Sequence, residues 1–136
     1  MADKLFKLEI IAPDKIFYSQ DVEMVEYNTT EGEVGVYAAH IPMTQIIAPG
    51  ELVITESADT KKNAALHTGF VEITGDKVTI LTEAVEWPED IDRARAEEAK
   101  VRAERRLSSS STEVDTIRAE LALKRALLRL NVAEGK

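Results

Sequence analysis

Apolar and polar positions alternate near the start of the chain, where Phe6, Leu8 and Ile10 are separated by Lys7 and Glu9. A period of two marks a half-buried strand, because successive side chains point to opposite faces. Ala12-Pro13-Asp14-Lys15 predicts a turn, since proline presets the backbone and Asp suits turn positions. Short apolar segments follow at Ile16–Tyr18, Val22–Tyr27, Val34–Tyr37 and Leu52–Thr55. The clearest pair, Ala65–Ile73 and Lys77–Leu81, is joined by Thr74-Gly75-Asp76, a hairpin signal between β-branched runs. Strands this short, with turns about every 8–12 residues, predict a sandwich or barrel.

The pattern changes at Trp87-Pro88. Ile91 to Leu107 lacks Gly and Pro, and the helix formers Ala, Glu, Lys and Arg dominate it. Pro88 suits a first helical turn, and Glu89, Asp90 and Asp92 favour the positive end of the helix dipole. Ser108 to Thr112 breaks the pattern. Ser110 with Glu113, and Thr112 with Asp115, have capping-box spacing for a second helix. Val114, Ile117, Leu121 and Leu128 form the apolar stripe of that helix, with Leu123, Leu127 and Leu130 beside it, and Gly135 closes the chain. The expectation is therefore a β-sandwich over residues 1–86 followed by a C-terminal antiparallel two-helix hairpin over 87–136. Helices of about 19 residues would each be about 28 Å long. The apolar positions of the first helix are Ile91, Ala94, Ala96, Ala99, Val101, Ala103 and Leu107, mostly alanine. Such a helix buries little area and docks weakly, which fits a moving part as well as a static tail.

Composition narrows the chemistry. The 136 residues, 44% hydrophobic and 31% charged, suit one globular core with an appended element. Cysteine is absent, so disulfides, thiol nucleophiles and thiolate metal sites are excluded. His40 and His67 stand 27 residues apart, both expected in strands, which disfavours a histidine metal site or a catalytic triad. No apolar run approaches the roughly 18 residues of a membrane span, and the N-terminus has no apolar signal core. The expected place is the cytoplasm or the cytoplasmic face of a membrane.

Charge divides the chain. Residues 1–86 hold 15 acids and 6 lysines and no arginine, whereas residues 87–136 hold 10 acids and 11 bases, including all eight arginines. The net charge of −8 argues against a general nucleic-acid binder. Asp92, Arg95, Ala99 and Arg102 share one face of the first helix; Arg118, Arg125 and Arg129 share one face of the second. If those faces meet, guanidinium groups converge and repel, and a polyanion between them would relieve the repulsion, since the arginine fork binds phosphate bidentately. The alternative is a solvated face neutralised by i,i+4 ion pairs, Glu98 with Arg102 and Glu120 with Lys124.

Several motifs carry a resemblance. Glu31 to Met43, EGEVGVYAAHIPM, resembles a motif of the epsilon subunit of bacterial F-type ATP synthases. Pro49-Gly50-Glu51-Leu52-Val53-Ile54 and His67-Thr68-Gly69-Phe70-Val71-Glu72 are similar to the segments that follow in that family, as are the helical stretches DIDRARAEEAKVRAERRL and RAELALKRALLRL. The resemblance runs through nearly the whole chain in order. It departs at Ala38-Ala39, where the family has Pro-Gly before the histidine.

The resemblance implies a ten-stranded sandwich and helical hairpin, bound to the gamma subunit and seated on the c-ring. Glu33 and His40 would fall in the loop region facing those rotor partners, although a lone histidine in a turn more often has a structural role. The hairpin would be compact, or extended into the alpha/beta catalytic head, where it inhibits ATP hydrolysis. Some members bind ATP in the hairpin. Ile91-Asp92-Arg93-Ala94-Arg95-Ala96 matches their motif fully, and Glu86, Arg102, Arg125 and Arg129 match positions outside it. The implied roles put arginines on the phosphates, Asp92 and Glu86 on adenine or motif geometry, and Ile91 and Ala96 on the base. No catalytic residue, metal site or required cofactor is implied, only ATP as a regulatory ligand, with the involvement of magnesium open. Membrane contact would come through the complex alone, peripheral and on the cytoplasmic side. The competing readings are a free-standing ATP-sensing module without catalysis, a nucleic-acid binder using the arginine helices, and an enzyme, the weakest of the three.

Overall fold

The computed structural model describes residues 4–109 and 112–134. The chain divides into two compact units, Met1–Glu86 and Trp87–Lys136. The first contains ten strands: β1 (Phe6–Ala12), β2 (Lys15–Val22), β3 (Met24–Thr29), β4 (Gly32–Tyr37), β5 (Met43–Ile47), β6 (Gly50–Ser57), β7 (Thr60–Leu66), β8 (Gly69–Thr74), β9 (Lys77–Thr82) and β10 (Val85–Glu86). Their order is β10-β7-β6-β3-β5-β8-β9-β1-β2, with β4 paired on β3. One parallel pair, β1 with β9, interrupts the antiparallel neighbours. The sheet folds over where β3 meets β5 through Thr29 and Ile47, and β2 closes against β6 through a 2.5 Å hydrogen bond from Tyr18 Oη to Glu56 Oε2.

The alternation in β1 is realised as written, with Phe6, Leu8, Ile10 and Ala12 all buried. They join Val22, Val25, Tyr27, Val36, Ile47, Leu52, Ile54, Val71, Ile73 and Ile80 in the interior. Thr74-Gly75-Asp76 closes the β8–β9 hairpin, with Gly75 at a φ of 51°. Two apolar runs prove to be two strands each. Val22 and Val25 are both fully buried three residues apart, so the chain must bend at Glu23 to return to the inner face. Ala65–Ile73 breaks at His67-Thr68, where Thr82 Oγ1 donates within a cluster formed by the His67, Thr68 and Ala84 carbonyls. Both histidines thus lie between strands rather than in them. β5 escaped the pattern because exposed Ile46 adjoins buried Ile47.

In the second unit Pro88–Asp90 is a separate 3-10 turn, and α1 (Arg93–Ser109) begins only after Asp92. Asp92 Oδ1 accepts from the Arg95 N–H at 3.1 Å and its carbonyl accepts from Ala96 at 3.0 Å, so Asp92, not Pro88, starts the helix. Thr112 caps α2 (Glu113–Glu134), its Oγ1 accepting from the Asp115 N–H at 3.1 Å. The expected Ser110 cap and Gly135 lie outside the described residues. The helices pack against each other through alanine. Ala96 and Ala103 on α1, and Ala119 and Ala126 on α2, are buried at i,i+7 spacing. Of the expected apolar stripe of α2, Val114, Ile117 and Leu121 are exposed and Leu128 is half-buried. Small side chains let the two backbones approach; of the larger ones Val132 is also buried, and Leu107, Leu123, Leu128 and Leu130 are half-buried.

Candidate functional site

The alanine seam gives each helix a left and a right flank. At about 100° per residue, Arg95, Arg102 and Arg106 fall roughly 80–120° to one side of the Ala96–Ala103 line. On α2 the same rotation puts Arg118, Arg125 and Arg129 roughly 80–120° to the same side of the Ala119–Ala126 line. The carboxylates take the opposite flank: Glu97 and Glu104 on α1, Glu113, Glu120 and Glu134 on α2. One contact fixes how the flanks meet. Arg93 Nη2 reaches Glu134 Oε2 at 3.3 Å, and both residues lie on the carboxylate side. In an antiparallel pair equivalent flanks share a side, so the six arginines share the other.

That basic flank is weakly neutralised. The ion pairs of the hairpin include Arg93–Glu134 and Lys100–Glu97 at 3.7 Å. The expected Glu98–Arg102 and Glu120–Lys124 pairs are not formed among the described residues, and none of Arg95, Arg102, Arg106, Arg118 and Arg125 has a carboxylate partner there. Arg95, Arg102, Arg106 and Arg118 are exposed, and Arg125 and Arg129 are half-buried. Such an array stores repulsion that a bound anion would offset. Ile91 and Ala96 are buried, at 8% and 4% exposure, with Ala96 in the seam. Glu86 belongs to the first unit, at the end of β10, where its Oε1 lies 3.3 Å from Nε2 of the buried His67.

The residues expected to face rotor partners are also in the first unit. Glu33 is exposed on β4, opposite Asn28 of β3, rather than in a loop. Asn28, Glu26 and Glu51 line the same 330 Å³ groove as Glu33. Glu26 and Glu51 were invisible to sequence reasoning because only the register of β3, β4 and β6 brings them beside Glu33. His40 follows β4, half-buried, its Nδ1 donating to the Ile41 carbonyl at 2.9 Å. Ala39 beside it has a φ of 66°, in the left-handed region. Among the described residues no His, Cys, Asp and Glu cluster could hold a metal, and no helix is long and apolar enough to cross a membrane.

A folded-over ten-stranded sheet followed by an arginine-flanked helical hairpin defines the class, and the comparisons identify it. Residues 5–88 match the family model of the ATP synthase delta/epsilon chain β-sandwich domain, and residues 89–134 that of its long α-helix domain. The ATP synthase epsilon chain of Caldanaerobacter subterraneus subsp. tengcongensis is 45% identical over 131 residues, covering 96% of this chain and 95% of that one. That of Alkaliphilus metalliredigens is 44% identical over the full length of both. A chain in the Euglena gracilis mitochondrial ATP synthase assembly of OSCP, F1 and c-ring superposes with a TM-score of 0.82 at 27% identity, covering 95% of this chain and 81% of that one. The chain belongs to the ATP synthase delta/epsilon chain family. It is an epsilon-type, non-catalytic stalk subunit of the F-type ATP synthase, associated with that complex at the membrane.

Proposed function

We propose that the hairpin makes this stalk subunit a regulator that responds to ATP. The observation that carries the reading is the arginine flank: Arg95 and Arg102 share one side of a seam built mainly of alanine with Arg125 and Arg129. ATP bound along that flank neutralises the guanidinium groups and adds the contact area the seam lacks. Asp92 serves the site by capping α1, which fixes where Arg95 projects. Ile91 and Ala96 enter through the family motif, and Glu86 through a matching position outside it. A ligand that binds the closed hairpin stabilises it by RT ln(1 + [ATP]/Kd), about 2.7 kcal/mol at a hundredfold excess over Kd. At low ATP the hairpin is released to extend into the alpha/beta catalytic head and block hydrolysis. The partners during synthesis are the gamma subunit and the c-ring, met through the surface around Glu33 and His40, on the cytoplasmic side of the membrane.

The test is ATP titration of the full-length protein while the distance between the helices is followed. Wild type binds and the hairpin closes. Arg125→Ala loses binding while the sandwich melts normally, and in the reassembled enzyme it inhibits hydrolysis at ATP levels where wild type does not. If Arg125→Ala and Asp92→Ala both bind ATP as wild type does, the arginine flank is merely solvated and the reading is wrong.

A further inference from the structure

The arginine flank is longer than ATP needs. Arg95 to Arg106 spans 11 residues of α1, about 16 Å of helix at 1.5 Å per residue. On the same flank of α2 Arg129, Arg125 and Arg118 also span 11 residues and run the opposite way, so the antiparallel pair carries three successive tiers of cations, with Arg95 and Arg129 towards one end and Arg106 and Arg118 towards the other. A triphosphate, with two bridging oxygens, spans roughly one helical turn of about 5.4 Å. Arg95 and Arg102 stand about 10 Å apart along α1, so their long side chains close on a triphosphate from its two ends, and Arg106 with Arg118 lies about one to two turns further along, past the last phosphate. The ATP reading gives those two residues no role. Both are exposed, and neither has a carboxylate partner among the described residues.

We infer that the flank is a linear-polyphosphate site, in which Arg106 and Arg118 continue the phosphate track of ATP and reward chains longer than three phosphates. The inference rests on the same flank as the ATP reading but requires nothing of adenine. Three features favour this ligand. Cations recur along a straight rod every one to two helical turns, as charges recur along a polyphosphate. Arginine forks bind phosphate oxygens bidentately. The track is only one hairpin wide and is bounded by the Glu97, Glu104 and Glu120 flank, which repels a broad polyanion. The first unit carries 15 acids against 6 lysines, which further disfavours nucleic acid.

The experiment titrates the full-length protein calorimetrically with ATP, tripolyphosphate and a linear polyphosphate of about twice that span, over a salt series. Three proteins are compared: wild type, Arg106→Ala/Arg118→Ala and the control Lys100→Ala/Lys124→Ala, which removes two charges off the arginine flank. Alanine is the better helix former at exposed positions, so the hairpin is kept, and circular dichroism verifies it. In wild type, affinity rises at least tenfold from tripolyphosphate to the longer chain. The slope of log K against log salt steepens by about one for each added arginine contact. Arg106→Ala/Arg118→Ala abolishes the rise and leaves ATP affinity within twofold, whereas the control changes neither.

Affinity that stops rising at three phosphates overturns the inference. So does a rise that survives in Arg106→Ala/Arg118→Ala, an equal loss in the control, or equal binding by an oligothymidylate of matched charge. ATP binding without a chain-length effect sinks this inference and spares the ATP reading. A chain-length effect without ATP binding does the reverse.

Discussion

Replacing Ala39 by glycine should stabilise the sandwich. Ala39 has a φ of 66°, where an L side chain crowds its own backbone at a cost of roughly 1–2 kcal/mol. Its side chain is exposed, so removing the methyl group forfeits no packing. Glycine relieves the crowding but gains freedom in the unfolded chain, worth about 0.4–1 kcal/mol against folding. The balance is a gain of about 0.5–1 kcal/mol. A unit of this size shifts its melting temperature by roughly 4–8 °C per kcal/mol, so Ala39→Gly should melt about 3–6 °C higher. Gly75 provides the mirror experiment. Its φ is 51°, and an added Cβ would meet no atom within 4 Å, so Gly75→Ala measures conformation alone and should cost about 0.5–1 kcal/mol. Both variants are followed by calorimetry of the full-length protein. A drop in stability for Gly75→Ala with no rise for Ala39→Gly would refute the reasoning, because the same backbone argument governs both positions.

Burial pushes the Tyr27 hydroxyl up to about 12 from its ordinary 10. The unfolded chain therefore releases this proton first, and the Tyr27 contribution is intact below pH 10 and drains away as pH rises through 10 to about 12. Tyr27→Phe should flatten that alkaline loss in urea melts, and an unchanged slope would deny Tyr27 the role. At the helix seam, Ala103→Leu forces the backbones apart and should cost the hairpin about 1–3 kcal/mol, read as lost helicity on heating, with the sandwich transition unmoved. A normal hairpin melt would show that the seam is not closely packed. Glu33→Lys should leave folding unchanged, since exposed charges contribute little, and should weaken assembly with the gamma subunit and c-ring by reversing one wall of the Glu26–Glu33–Glu51 groove. Normal assembly and proton-coupled ATP synthesis would remove this groove from the rotor interface.

Local pattern was enough for elements with one dry face and one wet one. The alternation over Phe6–Ala12, the turn around Gly75 and the Gly-free, Pro-free run after Asp92 each follow from rules that act within a few residues, so they could be read before any coordinates. The arginine spacing was legible for the same reason, because rotation about a helix axis depends on residue count alone. Pairing between distant segments was not legible. Glu33 meets Glu26 and Glu51 only through the register of β3, β4 and β6, and β5, mostly exposed, shows itself only when Phe70 and its neighbours on β8 supply its partners. The helix seam also had to be seen. Hydrophobicity nominated Val114, Ile117, Leu121 and Leu128, but the first three are exposed, and the buried positions are Ala96, Ala103, Ala119 and Ala126 with Val132, because close packing of two backbones favours small side chains. That choice sets which flank of each helix the arginines occupy. Sequence could place three arginines on one face of α2 and two on one face of α1; only the packed hairpin decided that those faces lie on the same side.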